Sequence, residues 1–265
     1  MVLAHERRGA RRVRDERAAI PRRAVVDARR VERRRRSERA RGTELLMSDW
    51  WVHRLWHFDP IVLFAWIGWV ILSITLHELG HGVAAIQQGD DTPRRLGRMT
   101  LNPVVHIPPF AWLLFAVVGI TWGLMPIDPR NFRHGRLSNA IVSAAGPAVN
   151  VVLAIVLLAA AVLWDKYSTA GASTYGAVLT ILEIGGQLNI VLALFNLLPL
   201  PPLDGSRILA SFVRPAERLF ADPRISNYAF AALIILAFLG LFDWIFTLAR
   251  WLETQFVLSL GALLP

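Results

Sequence analysis

The residues able to do chemistry are concentrated in one pentad, His77-Glu78-Leu79-Gly80-His81. Histidines four apart on a helix lie about 40° apart around its axis, so both imidazoles can reach a single metal ion while Glu78 points elsewhere. This is the HExxH arrangement, in which two neutral histidines hold zinc and the glutamate takes a proton from the water that the metal activates. The chain contains no cysteine. That excludes disulfides, thiolate zinc sites and a cysteine nucleophile, so any metal rests on nitrogen and oxygen donors.

The pentad follows Ile61 to Leu76, a run without charge in which only Ser73 and Thr75 carry hydroxyls. That run is long enough to belong to a membrane span. With 54% apolar residues, ten tryptophans and a mean hydropathy of +0.43, the chain reads as a multi-spanning membrane protein rather than a soluble domain. Its net charge of +9 is confined to one end: residues 1–46 hold 16 arginines and 7 acids, and the remainder is balanced. That arm has the composition of a disordered segment, and nothing in it has site-like spacing. A polybasic arm for anionic lipid or nucleic acid is one reading of it; the preferred one, since Met47-Ser48-Asp49-Trp50 reads as a natural start, is an Arg-rich extension over 1–46 outside the working protein, followed by one membrane domain over 47–265.

The apolar runs predict an all-α polytopic membrane protein with about four transmembrane helices. Spans are expected from about Phe58 to Gln87, Ala140 to Trp164 and Ala177 to Leu198, with a last one starting near Tyr228. Asp243 to Pro265 either continues that last span or lies on the membrane surface. Pro108 to Leu124 is uncharged but short and punctuated by proline and glycine, which suits a re-entrant or membrane-embedded segment. Met99, Leu101 and Val105 alternate with polar neighbours and predict a short extended segment near Met99 to Pro103. Three loops carry arginine clusters and one carries only Lys166, so the positive-inside rule puts the three on the cytoplasmic side.

A hydrolytic zinc site needs a third protein ligand and an open position. The candidates are Glu183, Asp204 and His106, with Asp128 and Asp243 less well placed. Glu183 lies about 22 Å of helix before the end of its span, on the far side from the pentad. Asp204 follows the proline-broken end of the same span, on the face where the pentad lies, and is the better ligand.

The sequence resembles the site-2 proteases, intramembrane zinc metalloproteases. The matching stretches are His77 to His81, Gly146-Pro147-Ala148-Val149-Asn150, and Asn196-Leu197-Leu198-Pro199-Leu200-Pro201-Pro202-Leu203-Asp204-Gly205. Gly97 to Pro103 is similar to the family's compact branch, which lacks a PDZ insertion. The resemblance covers about Pro60 to Arg214. It implies one Zn2+ per chain held by His77, His81 and Asp204, with Glu78 as general base and Asn196 stabilising the oxyanion or positioning substrate. Members of the compact branch often read His-Ile-Asp-Pro where this chain has His106-Ile107-Pro108-Pro109, so an accessory carboxylate is missing here. Asn150 is balanced between lining the site and packing; Gly146 and Pro147 read as packing or a kink, and His106 as interfacial.

The expected activity is hydrolysis of peptide bonds in transmembrane substrates near the cytoplasmic face of the cell (inner) membrane, the extended segment holding substrate as an added strand. The expected partners are the bilayer and transmembrane proteins, and no nucleic acid. Two other classes share these residues: a catalytically silent zinc-binding scaffold and a metal transporter. The complete ligand set disfavours the scaffold, and a glutamate between the histidines suits hydrolysis better than an ion relay.

Overall fold

The long helix that carries the pentad is started by Asp59, whose carboxylate accepts from the Ile61 amide at 2.7 Å, with Pro60 at the first helical position. In the computed structural model, residues 50–264 are described, and the Arg-rich arm lies outside them. In chain order the helices are α1 (Trp51–Phe58), α2 (Pro60–Gln87), α3 (Thr92–Arg95), α4 (Pro103–His106), α5 (Pro109–Val118), α6 (Arg136–Tyr167), α7 (Ala172–Asn196), α8 (Asp204–Phe212), α9 (Arg214–Phe220), α10 (Pro223–Phe238) and α11 (Leu241–Leu263). No strand occurs among the described residues.

Three helices, α2, α6 and α7, are long and apolar enough to cross a membrane. Side chains such as Phe64, Leu72, Val152 and Val156 are exposed on them. In water each would carry a transfer penalty of roughly 1.5–3 kcal/mol, which lipid removes. The polar contacts fix the helix directions. Trp69 donates to the Ile181 carbonyl and Asn189 to Ser73, so residue numbers rise together on α2 and α7. His77 faces Asn150 and His81 faces Val142, so α6 runs the opposite way. Close approach depends on small residues. A side chain at Gly185 would strike the Trp69 ring, and one at Gly186 would strike Leu158, so this pair lets α7 lie against both other spans.

The connection from α2 to α6 returns to the end it left. Arg133 donates its amide to Gln88, and Ser138 donates its hydroxyl to the Gln88 side chain. Beside them Asp90, fully buried, accepts from the Thr92 amide and hydroxyl, the Asn131 side chain and the Asp128 amide. Burial alone would push its carboxyl up; the hydrogen bonds from Thr92 and Asn131 outweigh that and hold it below the ordinary range. Within this connection α5, only ten residues long, packs Ala111 and Phe115 on Val70 and Ile74 halfway along α2. Gly119 ends α5 at φ +81°, a backbone geometry that favours glycine, with the Trp51 ring directly across it.

Two expectations change here. The extended segment expected at Met99 to Pro103 is not seen as a strand: residues 99–102 are irregular, Asn102 caps the amide of Val104, and Pro103 already opens α4. The apolar C-terminal region is two helices broken at Gly240 (φ +94°), and α10, with 16 residues, falls short of the three spanning helices. In α11, Ile245 and Ala249 pack on Val191 of α7.

Candidate metal centre

His77 lies ten residues before Gln87, about 15 Å by helical rise, so the pentad is inside α2 rather than at its end. His77, Glu78 and His81 are all buried. The two imidazoles meet edge to face, and their Nε2 atoms are 3.0 Å apart. Asp204 is the first residue of α8, beyond the proline-broken stretch that loops the chain back to the C-terminal end of α7, and α8 packs against α6. Gly205 permits that reversal, since a side chain there would strike the backbone of Leu197 and Leu198. Asp204 Oδ2 thereby comes to 3.2 Å from His77 Nε2 and 3.3 Å from His81 Nε2.

The proton positions on the histidines follow from their outer partners. His81 Nδ1 is 2.7 Å from the Val142 carbonyl, which only accepts, so Nδ1 carries the proton and Nε2 offers a lone pair. His77 Nδ1 lies 2.6 Å from Asn150 Oδ1 and has the same tautomer. Two lone pairs and a carboxylate oxygen therefore converge on one point, which is repulsive unless a cation stands between them. Zinc bonds of about 2.0–2.1 Å at tetrahedral angles put donors about 3.3 Å apart, close to the triangle here. His77, His81 and Asp204 are the one such donor group among the described residues. Space for an ion is kept by Gly146 on α6, where a side chain would strike both Nε2 atoms.

Glu78 lies beside the triangle in a cavity of about 640 Å³ running between α2, α7 and the stretch Gly119 to Met125. Its carboxylate packs against Gly123, leaving no room for a side chain there. Leu124 ties that stretch down by donating to the His106 carbonyl at 2.9 Å. A second cavity, about 630 Å³, reaches His81 from the arginine-bearing end, lined by Asn139, Ser143, Ser206, Arg207 and Glu217.

Of the residues singled out in the sequence, His77, His81 and Asp204 come together, with Glu78 next to them. Asn196 lines the larger cavity, its side chain donating to Leu192 of its own helix at 3.0 Å. His106 is fully buried and hydrogen-bonded to the Thr100 carbonyl at 2.7 Å, outside the donor group. Glu183 also lies outside it. Asn150, balanced between lining the site and packing in the sequence, places Oδ1 2.6 Å from His77 Nδ1. Sequence reasoning missed Asn189, fully buried behind Asn150; the available signal was an amide in an apolar run.

The sequence profile of Peptidase family M50 matches residues 65–240. The Bacillus subtilis protein named "Putative zinc metalloprotease YwhC" is 40% identical over 169 residues, covering 63% of this chain and 77% of its own. The Mycolicibacterium smegmatis protein named "Putative zinc metalloprotease Rip2" is 30% identical over 191 residues, covering 69% and 70%. No solved structure matches the chain.

Proposed function

The chain belongs to peptidase family M50, the zinc metalloproteases, and from that premise we propose that it hydrolyses peptide bonds of transmembrane substrates next to the His77–His81–Asp204 triangle. The observation that carries this reading is the convergence of three zinc-type donors beside a free, buried Glu78 within a membrane helix. In a bilayer such residues cost several kcal/mol each unless a metal, a partner or water compensates.

His77, His81 and Asp204 would hold the ion; zinc, when bound, would supply Lewis acidity that brings a water's pKa towards neutrality and polarises a carbonyl. Glu78 accepts the proton of the attacking water and returns one to the leaving amine. Asn196, on the cavity wall, is assigned to the substrate carbonyl; to reach it, its amide must leave the Leu192 carbonyl. A helical substrate must unwind before attack. The non-helical stretch along the cavity, Gly119 to Met125, offers backbone groups to an unwound chain and replaces Met99 to Pro103 in that role.

The site is assigned to the cytoplasmic side of the cell membrane. The adjoining ends of α2 and α6 and the segment around α8 and α9 carry the arginine clusters, which supports this orientation. The return of the α2–α6 connection to its starting end, with α5 too short to cross, supports a membrane-embedded α5. Because the chain has no cysteine, single cysteines at Arg94, Arg133 and Thr169 give a clean labelling test. Residues 94 and 133 should label from the cytoplasm and 169 from outside; opposite labelling of 94 and 133 overturns the topology. Removing zinc with a chelator should abolish cleavage, and adding it back should restore cleavage. Unchanged cleavage by the metal-free protein would overturn the chemistry.

A further inference from the structure

Behind His77 runs a chain of side-chain amides that the reaction itself does not use. His77 Nδ1 meets Asn150 Oδ1 at 2.6 Å, and Asn150 Nδ2 donates to Asn189 Oδ1 at 2.8 Å. Asn189 Nδ2 in turn donates to Ser73 Oγ at 2.9 Å and to the Gly185 carbonyl at 2.8 Å. Asn150, Asn189 and Ser73 are fully buried, one from each of α6, α7 and α2.

The direction of this chain is set at its far end. The Gly185 carbonyl can only accept, so Asn189 must turn its NH2 group towards it and its oxygen towards Asn150. Asn150 must answer with its own NH2, which leaves its oxygen facing His77. An oxygen there requires a proton on His77 Nδ1, and that leaves the lone pair on Nε2, the atom pointing at Asp204 and His81. Reversing either amide would put an NH2 group against His77 Nδ1 and move the imidazole proton onto the metal side. We propose that Asn189, acting through Asn150, is a positioning residue that sets the tautomer and ring orientation of His77 and thereby the site's affinity for zinc. His81 needs no such device, because a backbone carbonyl holds its Nδ1 directly. The same chain makes ligand geometry depend on the packing of all three spans.

The inference rests on the zinc reading above, and zinc affinity separates the two. Purified protein in detergent is titrated with Zn2+ against a competing chelator, and the Co2+ form is followed by its visible absorption. Asn189→Leu frees Asn150 to reverse, and removing such a support should weaken zinc binding by about 10- to 100-fold. In an Asn150→Asp background both oxygens accept, so His77 keeps its tautomer whatever Asn189 does. There the same Asn189→Leu change should alter affinity by no more than about twofold, the spread found where two changes are uncoupled. Wild-type affinity in Asn189→Leu overturns the proposal, and so does an equal loss in both backgrounds, which would signify packing alone. If Asn189→Leu fails to fold, the Asn150→Leu/Asn189→Leu pair decides the matter, because removing both partners leaves neither amide orphaned. Weakened zinc binding in that folded double variant supports the proposal, and wild-type binding overturns it. A wild-type protein that binds no zinc overturns the zinc reading itself.

Discussion

Gly146→Ala is the smallest change that should empty the metal centre. A methyl group at this position would lie closer than 3.0 Å to His77 Nε2, His77 Cε1 and His81 Nε2. Neither ring can swing aside freely, since Asn150 holds one Nδ1 at 2.6 Å and Val142 holds the other at 2.7 Å. Relief takes a shift of about 1 Å in both rings or in the α6 backbone, several times the ±0.2 Å that metal–ligand distances tolerate. Overpacking of this kind costs about 1–3 kcal/mol, and a lost hydrogen bond adds about 1 kcal/mol. Charged against binding, about 2–4 kcal/mol weakens zinc affinity roughly 30- to 700-fold. Gly68→Ala, on the same helix as the ligands but with open space around its added methyl, is the control and should bind zinc as the wild type does. Metal content after dialysis and chelator competition read the difference, with circular dichroism checking the fold. Zinc affinity within twofold of wild type in Gly146→Ala would refute the steric argument and the location of the ion.

Gly123→Ala drives a methyl into the Glu78 carboxylate without touching the ligands, so zinc content should hold while kcat falls roughly 10²-fold, the usual penalty for an ångström of misplacement. Equal kcat would show that Glu78 does not need its present position. Asp90→Asn turns one of four accepted hydrogen bonds into a clash of donors and should cost about 1–3 kcal/mol, read as a fall in melting temperature. The folded carboxyl of Asp90 lies below its unfolded value, so its contribution is complete above about pH 4 and disappears as pH falls through the folded value. In acid the wild type should therefore converge on Asp90→Asn in stability; a gap that persists unchanged to pH 2 would contradict the assignment.

Much of the centre could be read from residue order because its parts are local. His77, Glu78 and His81 depend only on helical spacing, and Asp204 was reachable by asking which carboxylate follows a span on the same face. The long spans were evident from hydropathy, although α6 and α7 extend beyond their apolar runs to Arg136 and Ala172, where polar residues still satisfy a helix. What stayed hidden depends on three-dimensional approach. Gly146 and Gly123 act by having no side chain opposite a particular atom, which no periodicity records. Asn189 acts through an amide on another helix, so its meaning appears only once α6 and α7 are packed. The alternation near Met99 suggested an extended segment; among the described residues there is no strand for it to pair with, and the cap at Asn102 followed by Pro103 opens a helical turn.

Purified wild type and Glu78→Gln, loaded with equal zinc, are each reconstituted in liposomes with a single-span peptide substrate, and the fragments are identified by mass spectrometry. The account predicts cleavage within the apolar stretch by wild type, and at least about 10²-fold less by Glu78→Gln at the same zinc content. Equal cleavage by the two proteins would contradict it.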